Sequence, residues 1–477
     1  MATGPAAPNA YKNLPAKKMK SSPFKIFLLV LLVVLLLLPL QWLPDLTIGS
    51  YEVKRVALLD DVLPAPATTA VPPTDSLQRK LPAVKPAFKD SCPPGMVCIE
   101  DYADETNRGM GALYEALLQG QALGRPVRIA YLGDSFIEVD ILTSSLRTLL
   151  QQKFGGRGVG FVEMDPPYAA NRSTVRQRSG GWNTFCLLDK GKYESNRLAL
   201  SGRYFVPQGV AWTEVSGVKQ PRLDSADVHT LYLRSTAGIE AGIKLDNGPM
   251  LAMRSGGTGI MEALSYRGRA GKVRWQVPAT AGLTCWGVAE EGTTGIVVDN
   301  FSLRGSSGTI LTAIPERNLY ELNAVRPYDL IVVQYGLNVA NKKQQDYSRY
   351  AKQMKEVIEH MKRGFPQAGI LLVGVGDRED RINGELRTMP GILALNKYQQ
   401  NLAAECHVAY WNLFEGMGGE GSIRRMAEAK PAEAGKDYTH INLRGGERVA
   451  KALFKSMVYG YEQHKKRKAY EAETQHD

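Results

Sequence analysis

Cysteine and histidine are scarce in this chain, and neither is grouped as a structural metal site requires. The 477 residues include 5 cysteines and 6 histidines. No two cysteines have Cys-x-x-Cys spacing, and the histidines are scattered. Structural zinc sites take closely spaced cysteine and histidine ligands. The sequence therefore argues against such a site, and we expect the protein to need no metal or other cofactor.

A concentrated block of one charge is also missing. The formal net charge is +11, from 59 lysines and arginines against 48 aspartates and glutamates. Proteins that bind nucleic acid usually carry their basic residues in a patch or stripe. The basic excess here is not gathered into one such block, so we expect no nucleic-acid partner.

Acidic residues are absent from residues 1–25, and residues 26–44 carry no charge at all. An apolar run of roughly 20 residues is long enough to span a membrane. The lysines before it favour a cytoplasmic N-terminus. A cleaved signal peptide is the alternative, but the run is long for one and no small-x-small cleavage site follows it. We predict a basic cytoplasmic segment at 1–25 and a single transmembrane anchor at 26–44. The rest of the chain would then lie on the periplasmic or extracellular side of the cytoplasmic membrane.

Residues 45–100 are rich in proline, alanine and threonine, which predicts an extended linker. Near its end, Cys92 and Cys98 flank a Pro-Pro-Gly turn that could bring them together. A disulfide is permitted in an exported protein, but the sequence leaves open whether this pair forms one. The other three cysteines are expected to be unpaired thiols.

Beyond the linker, two stretches alternate short apolar runs with helical patterns, and a third stretch between them does not. The alternation at 101–164 and 301–462 predicts one α/β domain with a parallel sheet. Residues 165–300 show period-two alternation broken by glycine, asparagine and aspartate, which predicts an inserted antiparallel β-sandwich. Residues 463–477 are expected to form a charged tail.

Five polar or small residues lie where a catalytic site would form. Ser135, Gly308 and Asn338 each come shortly after a predicted strand, and Asp437 and His440 precede the C-terminal helix. The segments that follow parallel strands gather at the carboxyl edge of the sheet. We therefore expect Ser135, Gly308 and Asn338 to lie at that edge.

These residue types suit acyl transfer. A serine hydroxyl needs a base to remove its proton, and His440 can do so while Asp437 orients the imidazole. Ser135, expected to open a helix, would donate its N–H to the oxyanion. The Gly308 N–H and the Asn338 amide would supply two further donors. Glycine is expected at 308 because a side chain there would crowd the approach to that N–H.

With these residues the chain resembles the SGNH (GDSL-type) hydrolases across residues 126–460. Ser135 in Gly-Asp-Ser matches the first motif block, Gly308 the second, and Asn338 in Gly-Leu-Asn the third. Asp437 and His440 match the Asp-x-x-His of the last block. The resemblance implies a flavodoxin-like, three-layer α/β fold and a serine esterase.

Further motifs are similar to a branch of this family, the peptidoglycan O-acetylesterases, which carry a carbohydrate-binding-like β-sandwich between the first two blocks. Phe136 departs from the histidine that this branch often has after the nucleophile. Trp182, in a predicted loop, is the best candidate for a sugar contact, and burial in the sandwich core is its alternative. The motifs are Phe154-Gly155-Gly156-Arg157-Gly158-Val159-Gly160-Phe161-Val162, Ser179-Gly180-Gly181-Trp182, Gly295-Ile296-Val297-Val298-Asp299, Val375-Gly376-Asp377-Arg378 and Met417-Gly418-Gly419-Glu420-Gly421-Ser422.

The resemblance implies an esterase that removes O-acetyl groups from cell-wall polysaccharide through an acyl-serine intermediate. The alternative is an O-acetyltransferase that receives acetyl groups through a membrane-bound acyltransferase partner and passes them to a polysaccharide. Both reactions use the same acyl-enzyme, and they differ in whether water or a sugar hydroxyl attacks it. The intact set of Ser135, Asp437 and His440 argues against a non-catalytic glycan-binding protein.

Overall fold

The computed structural model describes residues 27–28, 31–32, 47–48, 51–52, 92–104 and 108–474. The chain divides into two compact units, Met1–Arg79 and Lys80–Asp477. Only four residues of the predicted anchor at 26–44 are described. They are helical, and their apolar side chains are exposed: Phe27, Leu28, Leu31 and Leu32.

The predicted basic segment at 1–25, the rest of the anchor and most of the linker at 45–100 lie outside the described residues. Among the residues that are described, no helix is both long and apolar enough to cross a membrane.

The strands and helices of the described residues are numbered in chain order. The strands are β1 (Thr47–Ile48), β2 (Tyr51–Glu52), β3 (Glu100–Asp101), β4 (Val127–Gly133), β5 (Gly160–Glu163), β6 (Arg176–Cys186), β7 (Arg203–Ser216), β8 (Ala226–Arg234), β9 (Glu240–Leu245), β10 (Met250–Arg254), β11 (Glu262–Ala270), β12 (Lys272–Val277), β13 (Thr284–Glu291), β14 (Ile296–Ser302), β15 (Leu330–Gln334), β16 (Gly369–Val373), β17 (Glu379–Ile382), β18 (Glu385–Thr388) and β19 (Ala409–Trp411). The α-helices are α1 (Gly111–Gln119), α2 (Thr143–Phe154), α3 (Glu316–Val325), α4 (Ser348–Gly364), α5 (Pro390–Glu405), α6 (Leu413–Met417), α7 (Ser422–Glu428) and α8 (Leu443–Thr474).

A six-stranded sheet forms the centre of the larger unit, in the order β14-β4-β15-β16-β19-β3. Its first five strands are parallel, and β3 pairs antiparallel with β19 at the edge. Every residue of β4, β15 and β16 is buried, as expected for strands covered on both faces. The helices pack in two groups, α1 and α2 with α8, and α3 and α5 with α4. This is the layered α/β architecture that the sequence predicts.

The register of the central sheet brings three strand ends to one level. Gly133, the last residue of β4, pairs with Ser302 on β14 and with Gln334 on β15. The segments that carry Ser135, Gly308 and Asn338 therefore leave the sheet side by side. The alignment of these strand ends places the candidate site at the carboxyl edge of the sheet.

The inserted region is antiparallel and has a hydrophobic core of its own. Hydrogen bonds connect its strands into one nine-stranded sheet, where two separate sheets were expected. The link between its halves is narrow, because β7 and β13 share the single pair Cys285–Phe205. Apolar residues of both halves, such as Val273 and Leu231, meet in one core. The insert therefore has two halves around one core, as in the predicted sandwich. It differs in that the β7–β13 pair joins the two halves into a single hydrogen-bonded sheet.

Two predicted boundaries need correction. The antiparallel sheet begins earlier than residue 165, because β5 pairs with β13, and β14 belongs to the central parallel sheet and not to the insert at 165–300. The expected charged tail at 463–477 is helical through Thr474 as the end of α8. His464 and Lys468 on this part of α8 both bond to Glu115 on α1, which holds the helix against the domain.

The structure shows whether Cys92 and Cys98 are paired, a question that the sequence left open. Cys92 and Cys98 form a disulfide, with their Cα atoms 5.9 Å apart. Cys186, Cys285 and Cys406 are free thiols, and the last two are buried.

A fully buried guanidinium joins the insert to the central sheet. Arg326 donates to both carboxylate oxygens of Asp299 on β14, at 2.8 and 2.9 Å, and to Glu291 at the end of β13, at 3.0 Å. Arg128 on β4 also donates to Glu291. Burial raises the pKa of Glu291, but the two guanidinium groups outweigh it and hold that pKa at about 2. The two carboxylates depend on these arginines for compensation of their charge.

We predict that Arg326→Met lowers the free energy of unfolding by about 3–5 kcal/mol, because it leaves two buried carboxylates short of a partner. Arg254→Met is the matched control, since Arg254 is 83% exposed and pairs with the exposed Glu240. The control should change stability by less than about 1 kcal/mol. Urea unfolding of both variants measures the difference, and equal midpoints would show that the buried network does not stabilise the junction.

Candidate active site

A continuous hydrogen-bond chain links the three residues expected to form a triad. The Ser135 Oγ lies 3.1 Å from the Nε2 of His440, and the Nδ1 of His440 lies 2.7 Å from the Oδ2 of Asp437. Ser135 is buried, whereas His440 and Asp437 are about half exposed. The chain can therefore move a proton from the serine hydroxyl to an imidazole that remains accessible from solvent.

The loop that carries Asp437 and His440 is fixed by its own backbone. The Oδ1 of Asp437 accepts the N–H groups of Thr439 and His440, at 3.1 and 3.2 Å. Tyr438 has a left-handed backbone (φ +50°), and its carbonyl accepts the N–H of Glu379. Burial raises the pKa of Asp437, but the hydrogen bonds from His440 and Thr439 outweigh it, so the pKa is below its usual range. Asp437 is thus ionised at neutral pH, as a residue that orients an imidazole must be.

Ser135 does not open a helix, which corrects the sequence-based expectation. A turn and a short 3-10 segment (Glu138–Asp140) follow it, and α2 begins only at Thr143. The cause is the backbone of Val139 and Asp140, which is left-handed at φ +50° and +66°. A β-branched residue at positive φ is rare, because its side chain is crowded by the backbone. The helix dipole therefore does not act directly at the Ser135 N–H.

The buried carboxylate of Asp140 holds this segment in its strained conformation. It accepts hydrogen bonds from Thr143, Arg147, Arg172 and Thr174. Burial raises its pKa, and the two guanidinium groups reverse this and lower it far below the usual range. These contacts tie the segment after Ser135 to both α2 and the start of the insert.

Two of the three expected oxyanion donors already have partners. The Gly308 N–H donates to the Oγ of Ser306 at 3.0 Å. The Asn338 amide donates to the carbonyl of Ser306 at 3.0 Å and to the Oδ2 of Asp134 at 2.9 Å. The Ser135 N–H makes no hydrogen bond within the described part of the chain. Gly308 and Asn338 do lie beside Ser135 through these contacts, but an oxyanion there would have to displace Ser306.

The need for glycine at 308 has a different reason from the expected one. Gly308 has φ +86°, and a Cβ atom on it would come within 2.7 Å of the Tyr335 ring. Any side chain at 308 would therefore clash with Tyr335 as well as strain the backbone.

Asp134 is a site residue that sequence reasoning did not single out, although it lies within the Gly-Asp-Ser motif. Its Oδ1 accepts the Phe136 N–H at 2.9 Å, and its Oδ2 holds the Asn338 amide. Burial raises the pKa of Asp134 to about 6, although these hydrogen bonds and the nearby His440 oppose the shift. Asp134 positions Asn338 and adds negative charge close to the histidine when it is ionised.

Trp182, the expected sugar contact, is not in a loop. It lies on β6 next to a register shift, its ring packs edge-on against Phe205 in the insert core, and its N–H donates to the carbonyl of Trp212. Trp275 and Trp286 are fully buried. The alternative of core packing therefore describes these rings better.

The described residues contain no group of three or more histidine, cysteine, aspartate or glutamate side chains that could hold a metal ion.

We predict that Asp134→Asn gains stability relative to the wild type as the pH rises. The pKa of Asp134 is near 3.8 in the unfolded chain and about 6 in the folded protein. Between pH 3.8 and pH 6 the unfolded chain releases this proton more readily, so the free energy of unfolding falls as the pH rises. Stability is therefore lost as pH rises from 4 to 7, by about 3 kcal/mol, and the variant escapes this loss. Unfolding of both proteins at pH 4 and pH 7 measures the change. The exposed Asp189→Asn serves as control, and an equal pH dependence of wild type and Asp134→Asn would contradict the assignment.

No family model and no curated protein matches the sequence. Among solved structures, a peptidoglycan O-acetylesterase aligns with a TM-score of 0.62 and 19% identity, over 76% of this chain and 99% of that chain. A family two carbohydrate esterase from Cellvibrio japonicus aligns over 61% of this chain and 98% of that one, with 11% identity and a TM-score of 0.26. A protein described as a GDSL-like lipase from Parabacteroides merdae covers 34% of this chain and 73% of its own, at 16% identity and a TM-score of 0.27.

Only the first of these TM-scores indicates a shared overall fold, and that alignment includes nearly all of the esterase chain. The chain shares the overall fold of that peptidoglycan O-acetylesterase.

Proposed function

We propose that this protein is a serine esterase that removes O-acetyl groups from a cell-wall polysaccharide such as peptidoglycan. The observation that carries the proposal is the hydrogen-bond chain from Ser135 through His440 to Asp437 at the carboxyl edge of the sheet. A serine, an imidazole and a carboxylate in this order form the arrangement that activates a hydroxyl for attack on an ester.

The proposed reaction proceeds in two halves. The Ser135 Oγ attacks the acetyl carbonyl carbon while the Nε2 of His440 takes its proton. The tetrahedral intermediate collapses, the C–O bond to the sugar breaks, and His440 returns the proton to the leaving sugar oxygen. Water then attacks acetyl-Ser135 with His440 as base, and acetate leaves. Asp437 stays ionised throughout and stabilises the imidazolium.

Charge on the oxyanion is stabilised in part by groups that must first be released. The Ser135 N–H is available at once. The Gly308 N–H becomes available when the Ser306 hydroxyl rotates away, and Asn338 can exchange its bond with the Ser306 carbonyl for one with the oxyanion. Because Asp134 retains the other amide hydrogen, Asn338 stays aligned during this exchange.

The substrate class rests on two supports. One is the fold shared with a peptidoglycan O-acetylesterase over 99% of that chain. The other is the β-rich insert between the nucleophile and the Gly308 loop, where the resembling esterases carry a carbohydrate-binding-like module.

We predict that Ser135→Ala and His440→Asn each lower kcat on an O-acetylated glycan by about 10³-fold or more. Asn338→Ala should lose about 10²-fold, mainly in kcat, because the Ser135 N–H still serves the oxyanion. His407→Asn is the matched control, since the Nδ1 of His407 also faces an aspartate Oδ2, that of Asp104, at 3.2 Å on the surface. Released acetate measures the rates, and activity that survives in Ser135→Ala would contradict the mechanism.

The same assay with an added oligosaccharide acceptor tests hydrolysis against transfer. Free acetate as the main product supports the esterase. Acetylated oligosaccharide as the main product would contradict it and assign an O-acetyltransferase.

We also propose that residues 26–44 anchor the protein in the cytoplasmic membrane, with the hydrolase domain on its outer side. The lysine-rich residues 1–25 and the exposed apolar helical residues Phe27, Leu28, Leu31 and Leu32 support this.

We predict that the full-length protein sediments with membranes and that its hydrolase domain is digested by protease added to spheroplasts. Deletion of 26–44 should release it from the membrane fraction. A protein that stays soluble with 26–44 intact would contradict the anchor.

A further inference from the structure

An arginine for which the proposed reaction has no role, Arg378, follows β16 at the edge of the sheet that carries the candidate site. The last residue of β16, Val373, pairs in register with Gln334 at the end of β15. Arg378 comes five residues later, as the last residue of the motif Val375-Gly376-Asp377-Arg378. The strand order therefore brings a guanidinium group to the same edge as the loops of the site.

Two contacts hold Arg378 between loops that supply site residues. The Nη1 of Arg378 donates to the carbonyl of Leu337, the residue directly before Asn338, at 3.4 Å. The next residue, Glu379, donates its N–H to the carbonyl of Tyr438, in the loop that carries the histidine of the triad. Arg378 thus lies beside the segment that positions the Asn338 amide, and its backbone is tied to the histidine loop.

The positive charge of Arg378 has no carboxylate partner in the part of the chain that the structure describes. The acidic residues next to it in sequence make their contacts with other groups: Asp377 with the hydroxyl of Thr388 and the N–H of Ile423, Asp380 with Lys342, and Glu379 with Arg424. A guanidinium has five N–H donors, and the long bond to Leu337 uses one of them. Arg378 is partly exposed, and its unpartnered nitrogens, Nε and Nη2, are open to solvent. The group is therefore free to bind an anion from outside the chain.

We propose that Arg378 binds a carboxylate of the substrate polymer, close to the acetylated sugar unit, and so determines specificity for an acidic glycan. A planar guanidinium matches a carboxylate with two parallel hydrogen bonds. In peptidoglycan, carboxylates lie on the sugar acid units or on the attached peptides, and both present the same group to an arginine. This specificity rests on the proposed function, because it concerns the polymer whose acetyl ester reaches Ser135.

Arg378→Met should raise KM for a carboxylated, O-acetylated glycan about tenfold, with kcat little changed, because it removes a charge-assisted contact that is made equally in the ground state and the transition state. On a neutral substrate, an O-acetylated tetramer of N-acetylglucosamine, the same variant should keep the kinetics of the wild type. A purely structural role would impair both substrates alike. Arg378→Lys keeps the charge without the planar fork, so it should recover part of the loss. Released acetate measures all rates.

Arg387→Met is the matched control. Arg387 lies on β18, is 63% exposed and pairs with the exposed Glu385, so its loss should leave KM unchanged for both substrates. Two charged substrates distinguish the sources of the carboxylate. One carries a free carboxylate on an N-acetylmuramic acid unit. In the other, that carboxyl group is bound as an amide and the carboxylates lie on the attached peptide. The substrate for which Arg378→Met raises KM carries the bound group.

The carboxylate proposal is overturned if Arg378→Met leaves KM unchanged on both charged substrates, or raises it equally on charged and neutral ones. Thermal unfolding shows whether each variant is folded, and Arg378→Lys carries the comparison if Arg378→Met is not. Calorimetric binding of the two charged fragments without their acetyl esters, to full-length wild type and Arg378→Met, separates this result from esterase activity. Weaker binding to the variant supports the role of Arg378, whereas failure of the proposed function appears as an absence of acetate release by the wild type.

Discussion

The parallel pairing of β4 with β14 and β15 is the constraint on which the candidate site depends. It aligns Gly133, Ser302 and Gln334 at one level, so that the three loops carrying Ser135, Gly308 and Asn338 start together. The loop with Asp437 and His440 completes the site from the C-terminal part of the chain. Residues more than 300 positions apart thus form a 3.1 Å contact because the strands fix where each loop begins.

The site includes groups that work against the stability of the fold. Asp134 is a buried carboxylate, and Val139 and Tyr438 have left-handed backbones that their residue types disfavour. Each is held by its surroundings: Asp134 by two N–H donors, the segment of Val139 by the ion pairs of Asp140, and Tyr438 by the backbone of Glu379. Concentration of such features around Ser135 agrees with a local conflict between folding and function.

The sequence predicted the parallel sheet well, because buried strands are continuous apolar runs, and it predicted that Ser135, Gly308 and Asn338 follow strands of that sheet. It could not predict that Ser135 is followed by a turn, since that turn depends on Arg147 and Arg172 reaching Asp140 from other elements. The sequence also could not show that Ser306 accepts hydrogen bonds from the Gly308 N–H and the Asn338 amide, because these bonds depend on side-chain rotamers. The glycines before Trp182 predict a turn, because glycine is common in turns. In the structure they lie within β6, where the register of the strand shifts.

The residues directly after Ser135 form a turn, and Asp140 among them ties that turn to the insert through Arg172. The proposed reaction requires that the acetyl group pass through Ser135. Rapid quenching of the full-length enzyme with an O-acetylated glycan, followed by peptide mass spectrometry, tests this directly. We predict one added acetyl group on the peptide that contains Ser135 at early times, and none in Ser135→Ala. Acetate release without any acetylated Ser135 peptide in the quenched wild type, at the same rate in Ser135→Ala, would contradict the account.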